Sequence, residues 1–122
     1  MAYKLLIIED NEDVLNTLNK FFQAKKFEVT VAANGLDGLK IIETRGEEFD
    51  LIITDLIMPN ISGVGIISIV KEKLPQLPVV AITGWGEHPE ALAREANADI
   101  VLEKPIELDK LNQIISDLIT NR

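Results

Sequence analysis

The chain alternates apolar runs that stop on polar groups with stretches whose apolar residues recur at helical spacing. Tyr3-Lys4-Leu5-Leu6-Ile7-Ile8 is the first run, and it ends on Glu9-Asp10. Asn11 or Asp10 then caps a helix carrying Val14, Leu15, Leu18, Phe21 and Phe22, with Lys25-Lys26 closing its last turn, where cations suit the dipole. Phe27-Glu28-Val29-Thr30-Val31 alternates with period two, as a half-buried edge strand does. Asn34-Gly35 is expected to turn the chain into a short helix through Leu36, Leu39, Ile41 and Ile42 that ends near Gly46.

Asp50-Leu51-Ile52-Ile53-Thr54-Asp55 is a short aliphatic run of the kind buried on both faces of a parallel sheet, and it stops on a carboxylate. The turn-rich Pro59-Asn60-Ile61-Ser62-Gly63 leads into a helix through Ile66, Ile67, Ile69, Val70 and Leu74 that stops at Pro75. Gly65 lies inside that helix and weakens it by about 1 kcal/mol relative to alanine. Pro78-Val79-Val80-Ala81-Ile82-Thr83 reads as the fourth strand, followed by a Gly84-Trp85-Gly86 loop. His88-Pro89 has the pattern of a cap with proline at the first helical position, opening an alanine-rich helix over Glu90 to Ala96. Asp99-Ile100-Val101-Leu102 is the fifth strand, ending on Glu103-Lys104-Pro105, and Leu111, Ile114, Ile115, Leu118 and Ile119 stripe a final amphipathic helix from about Leu108.

Five strands alternating with five helices predict an α/β fold, a doubly wound parallel sheet with helices on both faces. In such sheets ligands bind at the carboxyl ends of the strands. Glu9 with Asp10, Asp55, Thr83 and Lys104 each stand just past a different strand, so residues far apart in sequence are expected to converge at one edge.

Composition narrows the class without changing this picture. The 122 residues fit one domain, 1–122, with a single core and no output domain, and no cysteine is present for a disulfide or a thiolate metal site. The longest uncharged apolar run, Ile61 to Val70, is about half of what a bilayer span needs, and Met1-Ala2-Tyr3-Lys4 opens no signal-peptide pattern. The expected setting is cytoplasmic. Twenty acids against twelve bases give a net charge of −8, which disfavours direct binding to nucleic acid or an anionic membrane.

Three carboxylates brought within a few ångströms repel one another, and either protonation or a divalent cation relieves the cost. An all-oxygen set with open positions suits Mg2+ (or Mn2+), which is commonly held by one or two carboxylates plus a phosphate. Lys104 adds a mobile cationic donor for a phosphate oxygen and Thr83 a hydroxyl. Phosphoryl transfer needs little beyond such charge neutralisation and a positioned nucleophile, and the Asp55 carboxylate can be that nucleophile, forming an acyl phosphate.

The ordered set Glu9-Asp10, Asp55 with Met58-Pro59 and Gly63, Thr83-Gly84 and Lys104-Pro105 resembles the receiver domain of two-component response regulators, of the chemotaxis-regulator-like kind, from Lys4 to the last helix. The resemblance implies a flavodoxin-like fold with strand order 2-1-3-4-5 and phosphorylation of Asp55 by a histidine kinase or histidine phosphotransfer protein. It further implies Mg2+ bound by Asp10, Asp55 and the backbone carbonyl of Ile57, with Glu9 acting through water. Thr83 and Lys104 would contact the phosphoryl group, a cis peptide would join Lys104 to Pro105, and downstream proteins would dock on the last two helices and fifth strand. Apart from its own phosphorylation and dephosphorylation, such a domain is not an enzyme.

Two features depart from the family pattern. Val101 stands where receivers often carry the switch tyrosine or phenylalanine, so coupling from Thr83 to the last two helices must work differently. Ile57 and Trp85 occupy positions that tune acyl phosphate lifetime in the family, and their bulk is expected to hinder an attacking water. A Mg2+-dependent phosphatase of the haloacid dehalogenase type would need an aspartate where Ile57 stands, and a flavodoxin would need a phosphate loop where Glu9-Asp10-Asn11 stands. A receiver-like binding module that has lost phosphotransfer is the other alternative.

Overall fold

The computed structural model describes residues 2–58, 61–84 and 97–121. The elements run β1 (Lys4–Ile8), α1 (Glu12–Ala24), β2 (Glu28–Ala32), α2 (Gly35–Arg45), a 3-10 turn (Gly46–Glu48), β3 (Leu51–Asp55), α3 (Gly63–Lys73), β4 (Val79–Thr83), β5 (Ile100–Glu103) and α4 (Leu108–Thr120). All strand pairings are parallel, in the order β2-β1-β3-β4-β5. The expected Glu90 to Ala96 helix, its His88-Pro89 start and Trp85 lie outside the described residues. None of the described helices is long and apolar enough to cross a membrane.

The period-two alternation of the strands sends neighbouring residues to opposite faces. Leu6, Ile8, Ile52 and Ala81 pack with Ile42 of α2 and Ile66, Ile67 and Val70 of α3. Leu5, Ile7, Ile53 and Val80 pack with Leu18 and Phe22 of α1 and Leu111 and Ile115 of α4. Two apolar layers therefore sandwich the sheet, and β1, β3 and β4 are apolar through their middles because both their faces are covered.

The amino edge of the sheet is closed by two aspartates. Asp50 Oδ2 accepts the Lys4 amide at 2.8 Å while the Asp50 amide donates to the Lys4 carbonyl at 2.8 Å. Asp99 does the same with Val79, at 2.7 and 2.9 Å, and its carboxylate also takes the Lys71 ammonium at 2.7 Å. These contacts satisfy strand-end donors that the ladder leaves unpaired.

Several local expectations differ from the observed backbone. α1 ends at Ala24, before the lysine pair. Lys25 caps it, and Lys26 takes φ 73°, with Lys26 N–H to Gln23 C=O at 3.0 Å and Phe27 N–H to Phe22 C=O at 3.1 Å, the double bond pattern of a left-handed helix stop. Asn34-Gly35 is not a free turn: Asn34 is the cap of α2, its Oδ1 accepting the Asp37 amide at 2.8 Å, and Gly35 is the first helical residue. α2 does end next to Gly46, at Arg45, and Gly46 itself continues at φ −54° into the 3-10 turn. β2 is an edge strand, but Val31 is exposed rather than inward, so its alternation is incomplete.

Candidate functional site

Each candidate side chain is delivered by a strand end. Ile8 pairs with Thr54, which sets Glu9 beside Asp55, and Asp55 pairs with Ile82, which sets Thr83 on its far side. The Lys104 amide then donates to the Thr83 carbonyl at 2.9 Å, extending the β4–β5 ladder by one step. The peptide between Lys104 and Pro105 is cis.

Glu9, Asp10 and Asp55 each offer a carboxylate oxygen, and these atoms all lie within 4.8 Å of one another. Glu9 and Asp55 are buried at 2% and 5% exposure while Asp10 is exposed, so the cluster is a buried floor with one open side. Lys104 Nζ stands 2.9 Å from Glu9 Oε1 and 3.5 Å from Asp55 Oδ2. Thr83 is buried, and its Oγ1 has no hydrogen-bond partner among the described residues. The Ile57 amide donates to Asp55 Oδ1 at 3.4 Å, while half of the Ile57 side chain is exposed.

Burial, reinforced by the Asp55 carboxyl, lifts the Glu9 carboxyl above its ordinary range, and the Lys104 ammonium and Asn11 amide oppose this only in part. For Lys104, burial alone would lower the pKa. The hydrogen bond with Glu9 and the charges of Asp55 and Glu9 outweigh that, so the ammonium is held above its usual value.

The receiver-domain model of response regulators matches residues 5–116. The chain belongs to the response regulator receiver domain family. Transcriptional regulatory protein GlrR of Escherichia coli is 29% identical over 116 residues, which are 94% of this chain and 26% of that protein. Hybrid signal transduction histidine kinase G of Dictyostelium discoideum is 37% identical over 121 residues, 93% of this chain and 3% of that protein. The chain thus spans a minor part of the curated relatives it matches. Among solved structures, a response regulator receiver domain protein from Clostridium thermocellum superposes with a TM-score of 0.91 at 29% identity, over 98% of this chain and 95% of that one. A CheY-like receiver domain protein from Methanospirillum hungatei shares the fold, with a TM-score of 0.92 at 22% identity over 99% of this chain and 96% of that one.

In this receiver domain the oxygen-only donor set of Glu9, Asp10 and Asp55 could hold a divalent cation of the hard, oxygen-loving class. The buried, unpartnered Thr83 hydroxyl fits the same site as a donor waiting for an acceptor. Glu9, Asp55, Thr83 and Lys104 are therefore brought together, and Asp10 stands at the rim. Val101 is half-buried against the layer that contains Leu6, Ile52 and Ala81, and Trp85 lies outside the described residues.

Sequence reasoning did not single out two supports of the site. Thr54 is buried and its hydroxyl donates to the Asp55 carbonyl at 3.0 Å, and the Asn11 amide donates to Glu9 Oε2 at 3.3 Å. The signal for Thr54 is a threonine inside a run that is otherwise aliphatic, directly before the carboxylate.

Proposed function

We propose that this receiver domain takes a phosphoryl group on Asp55 and passes the resulting change of shape and charge to a partner protein. A carboxylate oxygen of Asp55 attacks the phosphorus of a phosphohistidine; the P–N bond breaks, the imidazole leaves with its electron pair, and an acyl phosphate forms. A histidine kinase or a histidine phosphotransfer protein is the donor, and the downstream target docks around β5 and the final helix.

The observation that carries this reading is the convergence of a buried aspartate, two further carboxylates, a lysine and an unpartnered threonine hydroxyl at the ends of four strands. Mg2+ (or Mn2+) would be held by Asp10, Asp55 and the Ile57 carbonyl, with Glu9 behind them. When bound, it supplies charge neutralisation to the incoming phosphoryl group. Lys104 would balance phosphoryl charge and Thr83 would donate its hydroxyl to a phosphoryl oxygen. The half-exposed Ile57 side chain, two residues beyond Asp55, would restrict the water that hydrolyses the acyl phosphate.

The test is incubation with Mg2+ and acetyl phosphate, read by intact mass. Gain of one phosphoryl group that needs both Mg2+ and Asp55, and is absent in Asp55→Asn, is the expected result. A folded protein that binds Mg2+ and gains none would instead be a receiver-like binding module.

A further inference from the structure

The loop that follows Asp55 is gripped from outside by a helix of another part of the fold. Leu56 and Met58 are buried, and the Gly63 amide donates to the Leu56 carbonyl at 3.0 Å, so the two ends of the loop are tied together. Between them, Ile61 lies against the first residue of α2. A Cβ placed on Gly35 would meet the Ile61 carbonyl oxygen at 2.7 Å and Ile61 Cβ at 3.0 Å. Contacts that short force something to move.

What moves is decided by how each side is held. α2 is seated closely on β1, since a Cβ on Gly38, one turn further along, would stand 2.6 Å from Ile8 Cδ1, and Asn34 fixes the start of the helix through Asp37. Ile61 packs on the apolar layer under the loop and, two residues on, Gly63 is tied to Leu56, so pressure on Ile61 reaches the residue before Ile57 through that hydrogen bond. Leu56 is followed by Ile57, whose amide reaches Asp55 Oδ1 and whose carbonyl is a proposed cation ligand.

We infer that Gly35 is a positioning residue for the phosphorylation site: its missing Cβ seats the α2 start against Ile61 and fixes the loop that presents Ile57 beside Asp55. The inference rests on the function proposed above. It assigns to α2, an element with no side chain in the site, control over the cation affinity of that site. Supports behind metal ligands commonly carry about ten- to hundredfold in affinity.

The test compares the full chain with Gly35→Ala and Gly46→Ala. Gly46, which directly follows the last residue of α2, supplies a control at the far end of that helix, since its Cβ would meet the Leu74 side chain at 2.7 Å from Cδ1 and no part of the site. Mg2+ titrations by calorimetry should show affinity weakened about tenfold in Gly35→Ala and unchanged in Gly46→Ala. Acetyl phosphate labelling of Gly35→Ala should be slow at low Mg2+ and return to the wild-type rate at saturating Mg2+. Amide spectra recorded without added Mg2+ should show shifts at Leu56, Ile57 and Ile61 in Gly35→Ala alone. Should Gly35→Ala not fold, Ile61→Ala, which loosens the same contact from the loop side, should weaken Mg2+ in the same direction. Wild-type affinity in Gly35→Ala, or equal weakening in Gly46→Ala, overturns the inference. A wild type that neither binds Mg2+ nor gains a phosphoryl group overturns the functional proposal, and this inference with it.

Discussion

Lys104 pairs more closely with Glu9 than with Asp55, at 2.9 Å against 3.5 Å. The lysine thus balances a buried carboxylate that would otherwise face another carboxylate with no cation between them. Removing one partner of a fully buried pair costs about 3–5 kcal/mol. Lys104 keeps 26% of its side-chain exposure, so Lys104→Met should lose about 2–3 kcal/mol in urea unfolding without divalent ions. Added Mg2+ should then stabilise the variant more than the wild type, because the cation takes over the missing charge. Equal stabilisation of both would show that lysine and cation do not share these carboxylates.

The raised Glu9 carboxyl makes stability depend on pH in a defined sense. The folded state holds this proton more tightly than the unfolded chain, so the stability it contributes is fully present below the unfolded-chain value, 4.5, and is lost as pH rises through the higher folded value. The wild type should therefore gain melting temperature relative to Glu9→Gln as pH falls from neutral, levelling off below the ordinary glutamate range. Thermal scans without divalent ions measure the difference, and a slope of opposite sign would place Glu9 below its usual range.

Gly63 and Gly65 open the same helix and answer substitution in opposite ways. A Cβ on Gly63 would collide with the Asp55 carbonyl oxygen, whereas one on Gly65 meets only Ser62 Oγ at 3.7 Å. Gly63→Ala should destabilise by about 3 kcal/mol or more, the upper end for overpacking, because both sides are backbone. Gly65→Ala should stabilise by up to about 1 kcal/mol. Equilibrium urea curves for the two variants check both signs.

Lys26 occupies the left-handed stop after α1 at φ 73°. The cost of that conformation for a side-chain residue is about 1–2 kcal/mol, partly offset by the greater unfolded freedom of glycine. Lys26→Gly should raise stability by roughly 0.5–1 kcal/mol without altering Mg2+ binding. A lower melting temperature in this variant would mean that the Lys26 side chain makes contacts that outweigh its backbone strain.

The sheet and most of the site were legible in the chain because each signal repeats. Glu9, Asp55 and Thr83 end apolar runs and Lys104 follows one by a single residue, and the β3 and β4 runs, buried on both faces, have no solvent-facing residues to blur their boundaries. Where one residue type serves two backbone states, the sequence misled. Asn-Gly signals a turn, but Asn34 and Gly35 cap and open a helix, the glycine being there for its missing Cβ rather than for φ. Lysines at a helix end suit the dipole, yet Lys26 has already left the helix. The pairing of Asp50 with Lys4 and of Asp99 with Val79 joins residues 46 and 20 positions apart, and no local pattern carries such contacts.

The most direct test of Asp55 as the phosphoryl acceptor is chemical trapping. After labelling with acetyl phosphate and Mg2+, borohydride reduces an aspartyl acyl phosphate to homoserine, which peptide mass mapping locates. Homoserine at position 55 alone, lost in Asp55→Asn and when Mg2+ is chelated, is the predicted result. A label resistant to borohydride, or one that maps to Asp10 or Thr83 in the wild type, would contradict it.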